Sequence, residues 1–185
     1  MLAVAPTGID AVKLIRTTSF DDARGAFCET YNRQRFFDSD IDLDFVQDNQ
    51  SYSAEAGTIR GLHFQSPPMA QAKLVRVVRG SILDVAVDLR RSSPTYGKWV
   101  AERLSADDGR QLLIPVGFAH GFCTLEPDTH VFYKVTSHYS PANDLGIAWD
   151  DADLGIDWPV AAGNAVLSDR DARLPAFKSL PPFFE

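Results

Sequence analysis

The sequence predicts an all-β protein, an antiparallel β-barrel of the jelly-roll type with short peripheral helices. Two observations predict this fold class. Short runs rich in β-branched and aromatic residues follow one another between Gly57 and Trp149. Turn residues separate these runs at short intervals, which favours a sandwich or a barrel over alternating strand and helix units.

Each run between turn signals is predicted as one strand. Arg79-Gly80-Ser81 is a tight turn between the second and third runs, because Gly accepts a positive φ without steric cost. Pro67-Pro68 and Ser93-Pro94 mark loops. The predicted strands are residues 58–64, 72–79, 81–89, 98–104, 111–115, 121–125 and 130–139.

Two short helical elements are expected outside the strands. Residues 31–38 are the best helical candidate, and a turn of helix is predicted over 168–173, with Ser168 as N-cap and Asp171 three positions later. Within the second strand, side-chain alternation places Lys73 on the same face as two valines. A lysine on an inward face is costly unless it serves a pocket.

Length and composition limit the class of protein. The 185 residues, 45% of them hydrophobic, predict a single domain over 1–185. A net charge of −7 and a pI near 5.0 disfavour a nucleic-acid partner. Cys28 and Cys123 form no metal-ligand spacing and are expected as free thiols. No membrane span or secretory leader is recognisable, which predicts a soluble, cytoplasmic protein without a membrane partner.

A histidine motif indicates the kind of barrel. Residues 109–120 read GRQLLIPVGFAH and match the second cupin motif, G(x)5PxG(x)2H, at every fixed position. The first motif, G(x)5HxH(x)3-4E, begins at Gly57 and reaches His63, but Gln65 replaces the second histidine. A transition metal in such a barrel needs three or four His or carboxylate ligands. Only His63 and His120 remain, so we expect a cupin-type barrel whose pocket does acid and base chemistry without a metal.

Three side chains suggest acid and base chemistry. A lone histidine in a β-protein is more often structural than catalytic, but His63 lies at a pocket position of the motif and Lys73 follows one strand later. Histidine is suited to general-base work near neutral pH, and a lysine can stabilise a developing oxyanion. Tyr133 is either a core tyrosine or a proton donor across the pocket from His63.

Four cations stand out in this acidic chain. Arg24, Arg60, Lys73 and Arg170 are individually typical of solvated or ion-paired surface charges. Together they could neutralise a pyrophosphate, to which arginine makes bidentate contacts. Sequence periodicity does not show whether they converge.

The chain closely resembles the dTDP-4-dehydrorhamnose 3,5-epimerase family, which acts in dTDP-L-rhamnose synthesis. The most specific signature is RGLHFQ at 60–65, followed by a lysine ten residues after the histidine. Further matching segments are DDARGAFCETY at 21–31, FVQDNQSYS at 45–53, QAKLVRVVRGSILDVAVDLR at 71–90, SPTYGKW at 93–99, IPVGFAHGF at 114–122, YKVTSHYSP at 133–141 and LSDRD at 167–171.

The resemblance implies a homodimeric cupin barrel that binds a dTDP-linked 4-keto-6-deoxyhexose without a cofactor. It implies that His63 is the proton acceptor, that Tyr133 is the proton donor, that Asp171 orients His63, and that Lys73 stabilises the enolate. It also implies ligand-binding positions at Arg24, Glu29, Asp48, Asn49, Gln50, Arg60, Lys73, His120, Asp144 and Arg170. Asp144 and Arg170 stand where many relatives carry Glu and Lys, which preserves charge but changes reach.

Two other functions remain open at this point. A relative that inverts only C5 or only C3 of another dTDP-deoxysugar needs the same catalytic residues. A barrel that binds a sugar nucleotide without turnover is compatible with the loss of the metal motif. The joint presence of His63, Lys73, Tyr133 and Asp171 favours an enzyme.

Overall fold

The computed structural model describes residues 2–185, and β-strands dominate it. The strands, numbered in chain order, are β1 Ala3–Pro6, β2 Lys13–Arg16, β3 Ser19–Asp22, β4 Gly25–Cys28, β5 Gln47–Ser53, β6 Ile59–Gln65, β7 Lys73–Arg79, β8 Ser81–Asp88, β9 Trp99–Ser105, β10 Arg110–Ile114, β11 Phe118–Thr124, β12 Thr129–Val135 and β13 Asp144–Gly146. Helix α1 spans Arg33–Phe37, and 3-10 helices span Ala162–Asn164, Asp171–Arg173 and Phe177–Ser179.

Two antiparallel sheets form the barrel. One has six strands in the order β1-β2-β10-β7-β12-β5, and the other has five in the order β13-β6-β11-β8-β9. Their inner faces share one apolar core, with Val75 and Val131 from the six-stranded sheet and Ile82 and Phe122 from the five-stranded sheet. The all-β, cupin-type antiparallel barrel is therefore confirmed.

Further apolar layers cover the outer faces of both sheets. Trp149 and Trp158 from the C-terminal part of the chain pack in one cluster with Leu62 of β6. Phe36 of α1 packs with Leu74 of β7. Burial of each such large side chain contributes roughly 1.5–3 kcal/mol. These layers support the two sheets from outside. The space between the sheets holds the shared core and, next to it, a pocket.

The seven strands predicted from the sequence are all present, as β6 to β12, with some shifted ends. Strand β11 begins at Phe118 instead of 121, because the turn after Pro115 is tight and ends sooner than expected. Strand β12 ends at Val135 instead of 139. There the chain leaves the sheet, because the backbone at His138 and Ser140 bonds to the Gln65 side chain.

Six strands were not predicted, and their burial explains why. Hairpin β3–β4 forms its own two-stranded sheet and is exposed at nearly every residue, so it has no apolar alternation. In β5 the partly buried positions are polar, namely Gln47, Asn49 and Ser51. A strand that faces a polar cavity does not show the hydrophobic period that reveals a core strand.

Both segments predicted as helical contain a helix, but each helix is shorter than predicted. Helix α1 is shorter than 31–38, and the Asn32 side chain caps it by accepting from the Arg35 amide. The predicted capping bond is present, because Ser168 Oγ accepts from the Asp171 amide at 3.1 Å, although the 3-10 helix begins only at Asp171.

Other sequence predictions concern the thiols and the membrane. Cys28 and Cys123 are both free, the first half-buried and the second buried. Among residues 2–185, none of the helices has the length and apolar character needed to cross a bilayer.

Strands β6 and β11 approach each other closely at two glycines. Gly61 has a φ of +138°, and a Cβ there would lie 2.5 Å from Gly121 Cα and 2.9 Å from the His120 carbonyl oxygen. The contact is between backbones, so no side chain can move to relieve it. This close approach brings His63 directly opposite His120 in the strand register.

We expect Gly61→Ala to destabilise the protein by roughly 1–3 kcal/mol more than Gly25→Ala, because only the first adds a steric clash. Gly25 is the matched control, since its φ of +127° imposes a similar backbone penalty while a Cβ there meets nothing within 4 Å. Denaturant unfolding of both variants measures the difference. Equal destabilisation would contradict the role of the β6–β11 contact.

Candidate active site

A cavity of about 460 Å³ lies between the two sheets. Strand β6 supplies His63 to its wall, β7 supplies Lys73, β12 supplies Tyr133, and the C-terminal segment supplies Asp171. An adjoining cavity of about 230 Å³ shares His63, Lys73 and Tyr133. The structure therefore brings the four predicted catalytic side chains to one place.

His63 is held by a carboxylate from the C-terminal segment. Its Nε2 lies 2.7 Å from Asp171 Oδ1. The other Asp171 oxygen, Oδ2, accepts from the Gly61 amide at 3.4 Å. These two contacts fix the carboxylate and the imidazole, and the bond from the Asp171 amide to Ser168 Oγ fixes the backbone that carries the carboxylate.

The charge on Asp171 determines which nitrogen of His63 is the base. Burial disfavours the Asp171 carboxylate, but hydrogen bonds from His63 and the Gly61 amide outweigh it and lower its pKa. An ionised carboxylate only accepts hydrogen bonds, so Nε2 of His63 must carry the hydrogen. The lone pair of neutral His63 is therefore on Nδ1, and Asp171 stabilises the positive ring that forms when Nδ1 takes a proton.

Lys73 is a partly buried cation whose side chain has no fixed partner. It makes no hydrogen bond or ion pair with any residue in the described range of 2–185, and it faces both cavities. Burial lowers the pKa of Lys73 to about 8, and the charges of Asp144 and Asp84 offset part of this shift. An ammonium group that is free of partners and partly desolvated is well suited to bind a developing oxyanion.

Tyr133 reaches the cavity from the sheet opposite His63. It lies between Val75 of β7 and Asn49 of β5 in the strand register, and its ring packs against the inner core. Burial raises the pKa of its hydroxyl, so the group stays protonated at neutral pH. Tyr133 can therefore donate a proton or a hydrogen bond from the wall opposite His63.

His120 forms a second pair with a carboxylate, deeper in the barrel. Its Nε2 lies 2.6 Å from Asp84 Oδ1, and Asp84 is completely buried. Burial lowers the pKa of His120, Asp84 opposes this effect, and the charges of Lys73 and His63 reinforce it. His120 is therefore a neutral ring at pH 7.

The remaining cations of the site hold preformed contacts. Arg60 donates to Ser53 Oγ at 3.1 Å and to a backbone carbonyl of β5 at 2.7 Å. Arg170 donates to Asp144 Oδ2 at 2.7 Å, and the Tyr139 hydroxyl donates to the same oxygen at 3.0 Å. These bonds aim two guanidinium groups at the cavity rim.

Residues 48–50 were all predicted to bind ligand, but the side chains of β5 alternate between the two faces of the strand. Asn49 lines the adjoining cavity. Asp48 and Gln50 are exposed on the other face, where Asp48 pairs with Lys134 at 2.8 Å and Gln50 lies 3.2 Å from His130 Nδ1. A strand cannot present three consecutive side chains to one pocket. Within one chain Asp48 and Gln50 therefore do not face the cavity, and their part in ligand binding stays a prediction.

Two other predicted binding residues do not reach the cavity within one chain. Arg24 lies in the β3–β4 hairpin, where its side chain is 90% exposed and pairs with Asp22. Glu29 follows this hairpin and pairs with Arg35 at 3.2 Å. In the described range of a single chain, neither contacts the residues around His63.

Sequence reasoning missed several residues that line the cavities. Gln47 and Ser51 share the inward face of β5 with Asn49 and would have followed from the two-residue period. Tyr139 lies at the rim, 56% exposed, within the matching segment 133–141. Asp84, which lines neither cavity but bonds to His120, could not be found from the sequence, because it is an acidic residue inside a largely apolar strand.

Gln65 occupies the position of the missing metal ligand. Its amide nitrogen donates to the carbonyls of Met69, at 2.6 Å, and His138, at 3.1 Å, and its oxygen accepts from the Ser140 amide at 2.8 Å. Among residues 2–185, no group of three His, Cys, Asp or Glu side chains is arranged to hold a metal ion. The Gln65 side chain anchors a loop instead.

Comparison with known proteins gives consistent matches. The sequence model of the family described as dTDP-4-dehydrorhamnose 3,5-epimerase matches residues 6–179. The enzyme of that name from Sinorhizobium fredii is 51% identical over 96% of this chain and 90% of its own length. The crystal structure of the Bacillus anthracis enzyme with TDP and PPi bound is 52% identical, with a TM-score of 0.92, over 95% of this chain and 99% of that one.

A third match includes a sugar nucleotide. The structure of dTDP-6-deoxy-D-glucose-3,5-epimerase from Legionella pneumophila in complex with dTDP-4-keto-L-rhamnose has a TM-score of 0.93 and 40% identity to this chain. The match covers 98% of this chain and 95% of that one.

We expect Lys73 to lose its proton near pH 8, well below an ordinary lysine, because burial disfavours the ammonium. Lysine-selective NMR titration measures this, with Lys73→Arg to assign the signal. Lys178 is the internal control, since its hydrogen bond to Asp153 raises its pKa. A Lys73 signal that titrates together with Lys178 would contradict the buried, unpartnered environment.

Proposed function

The chain belongs to the dTDP-4-dehydrorhamnose 3,5-epimerase family, and we propose that it converts dTDP-4-dehydro-6-deoxy-D-glucose into dTDP-4-dehydro-L-rhamnose by inverting C3 and C5. One observation carries this proposal. The His63–Asp171 pair and Tyr133 approach one cavity from opposite sheets, and Lys73 lies in the same cavity. We propose that one domain, spanning residues 1–185, performs this step of dTDP-L-rhamnose synthesis.

The substrate's 4-keto group makes the reaction feasible. Removal of a proton from C3 or C5 leaves a carbanion that delocalises onto O4 as an enolate. Lys73 stabilises this negative oxygen as an ammonium group in a partly desolvated site, where such an interaction is stronger than in water. Because Lys73 must be protonated for this role and its pKa is about 8, activity should fall as the pH rises through that value.

Inversion needs a base on one face of the carbon and an acid on the other. The Nδ1 atom of His63 takes the proton, and Asp171 stabilises the resulting imidazolium. The Tyr133 hydroxyl returns a proton from the opposite sheet. General acid and base assistance is typically worth ~10²–10⁴-fold in rate.

The nucleotide part of the substrate supplies binding energy away from the reacting carbons. We propose that Arg60 and Arg170, which line the larger cavity, bind the pyrophosphate and that Asn49 offers amide hydrogen bonds in the adjoining cavity. The half-exposed Tyr139 ring at the rim is a suitable surface on which a base can stack. Asp144 keeps Arg170 and Tyr139 in position.

We also propose that the protein acts as a homodimer in which Arg24 and Glu29 complete the partner's site. Strand β5 is an edge of the six-stranded sheet, and open edges tend to pair. The β3–β4 hairpin exposes Phe20 by 58% and Phe27 by 69%, which is unusual for a part of the chain without a partner. The two free cysteines fit a reducing compartment, so we propose the cytoplasm as the location.

The D2O exchange experiment tests the function and separates the two catalytic roles. Wild-type protein should incorporate deuterium at both C3 and C5 of the 4-keto sugar nucleotide, as read by proton NMR. His63→Ala should abolish exchange and turnover together, because the base is removed. Tyr133→Phe keeps the ring packing but removes the acid, so exchange should persist while inversion at C5 collapses.

Other outcomes would point to the alternatives. Deuterium at one carbon alone would indicate a C5-only or C3-only epimerase, and tight binding without any exchange would indicate a non-catalytic sugar-nucleotide protein. Near wild-type inversion by Tyr133→Phe would remove Tyr133 from the acid role.

A complementation experiment tests the shared site. Arg24→Ala impairs the hairpin, and His63→Ala impairs the cavity, so each homodimer should have low activity. After subunit exchange in an equal mixture, about a quarter of all sites would combine an intact cavity with an intact partner hairpin. Activity equal to the mean of the two variants, or a stable monomer in sedimentation at micromolar concentration, would contradict the dimeric site.

We propose that no metal ion takes part in the reaction. Both polar atoms of the Gln65 side chain are bonded to backbone groups, and within residues 2–185 no third His, Cys, Asp or Glu side chain joins His63 and His120 to form a metal site. Protein treated with a chelator and dialysed should therefore keep its full rate. Loss of activity that one divalent ion restores would contradict this proposal.

A further inference from the structure

We propose that Ser51 is a substrate-binding residue whose hydroxyl bonds to the 2-hydroxyl of the sugar ring. The proposal rests on the function above, because it concerns how the same cavity holds that sugar. Ser51 lies on β5 and lines the larger cavity together with His63, Lys73 and Tyr133. This contact makes the protein selective for a sugar that carries the 2-hydroxyl.

The Ser51 hydroxyl is buried and has no hydrogen-bond partner within residues 2–185. The only other buried side-chain oxygen without a partner in this range is Asp84 Oδ2, and Asp84 lines neither cavity of the site. Buried polar atoms are nearly always bonded, so an exception needs an explanation. A cavity that receives a ligand with several hydroxyl groups supplies one for Ser51.

The neighbours of Ser51 explain why its hydroxyl is unpaired. Across the strand pair it faces Val131, a fully buried core residue with no polar side-chain atom. On the same face of β5, the Asn49 side chain bonds to a neighbouring glutamine at 2.8 Å, and Ser53 accepts from Arg60 at 3.1 Å. A ligand that binds Ser51 therefore has no internal bond to break.

A change of rotamer brings the hydroxyl to the ligand. The Oγ atom of Ser51 is buried in its present rotamer, although the residue lines the cavity. A serine side chain can occupy several staggered χ1 positions. Because the Ser51 hydroxyl makes no hydrogen bond, moving between these positions breaks none. The hydroxyl is therefore free to turn into the cavity as the sugar enters.

The other hydroxyl side chains of the larger cavity are already engaged. Thr58 donates to a backbone carbonyl at 2.8 Å, and Ser168 accepts from the Asp171 amide at 3.1 Å. Tyr133 is the proposed acid of the reaction. Ser51 is therefore the hydroxyl of this cavity that is left for binding.

The reaction indicates which sugar hydroxyl Ser51 binds. Inversion at C3 and C5 moves the substituents of these carbons from one face of the ring to the other. A contact that holds the ring through both steps must go to a carbon that is not inverted. The oxygen on C4 is assigned to Lys73, and the oxygen on C1 carries the nucleotide. The 2-hydroxyl remains, and like serine it can both donate and accept.

Calorimetric titration with two sugar nucleotides tests the contact. The first probe is dTDP-linked 6-deoxyglucose, which has a hydroxyl in place of the 4-keto group and so cannot be epimerised, and the second is its 2-deoxy analogue. Ser51→Ala should weaken binding of the first probe on the order of fivefold, the effect of one neutral hydrogen bond, and leave binding of the second unchanged. Wild-type protein should bind the second probe about fivefold more weakly than the first.

Ser81→Ala is the matched control, because Ser81 is also buried but bonds to Glu126 and lines neither cavity. It should leave the binding of both probes unchanged but unfold at a lower denaturant concentration than wild type. Ser51→Ala should unfold at the wild-type concentration or above, because it removes no internal hydrogen bond. A clear loss of stability in Ser51→Ala would mean that the hydroxyl is bonded inside the protein and would count against the proposal.

Binding is measured without turnover, so its outcome is separate from that of the proposed function. Equal weakening of both probes by Ser51→Ala, or no weakening of either, would overturn the contact with the 2-hydroxyl. Failure of the wild-type protein to bind the first probe would overturn both proposals. Binding with the expected pattern but without deuterium exchange would overturn the function alone.

Discussion

The hydrogen bond between His63 and Asp171 joins parts of the chain that are 108 residues apart, and the rest of the site depends on it. It ties the C-terminal segment to β6, so the segment closes the cavity that the two sheets leave open. The same bond sets the protonation of the imidazole. One contact therefore closes one wall of the pocket and leaves Nδ1 as the nitrogen of His63 that can accept a proton.

Positive side chains gather around the cavities, although the chain as a whole carries a negative net charge. The chain has a net charge of −7, yet Arg60, Lys73 and Arg170 all face the cavities. Arg170 is paired with Asp144, so any anionic ligand of Arg170 must compete with that carboxylate. Internal partners hold the two arginines in place, whereas Lys73 has no such partner and keeps its full attraction for an anion.

Much of the fold and of the catalytic centre could be predicted, because both are visible in local patterns. The two-residue period placed Lys73 on an inward face, and the histidine motif located the pocket. The residues that were not predicted depend on contacts across the fold. The partner of His120 is an aspartate on a neighbouring strand, and no spacing in the sequence connects the two. Strand β5 was missed because a strand that faces a polar cavity has no apolar period.

The loop anchored by Gln65 has a consequence for redesign of this barrel. A histidine at this position could add a third metal ligand to His63 and His120, but it could not make all three backbone bonds of Gln65, two of which hold the segment carrying Tyr139. Metal coordination and support of the segment carrying Tyr139 therefore compete for the same residue. A metalloenzyme built on this scaffold would need a new support for that loop before it could acquire its ion.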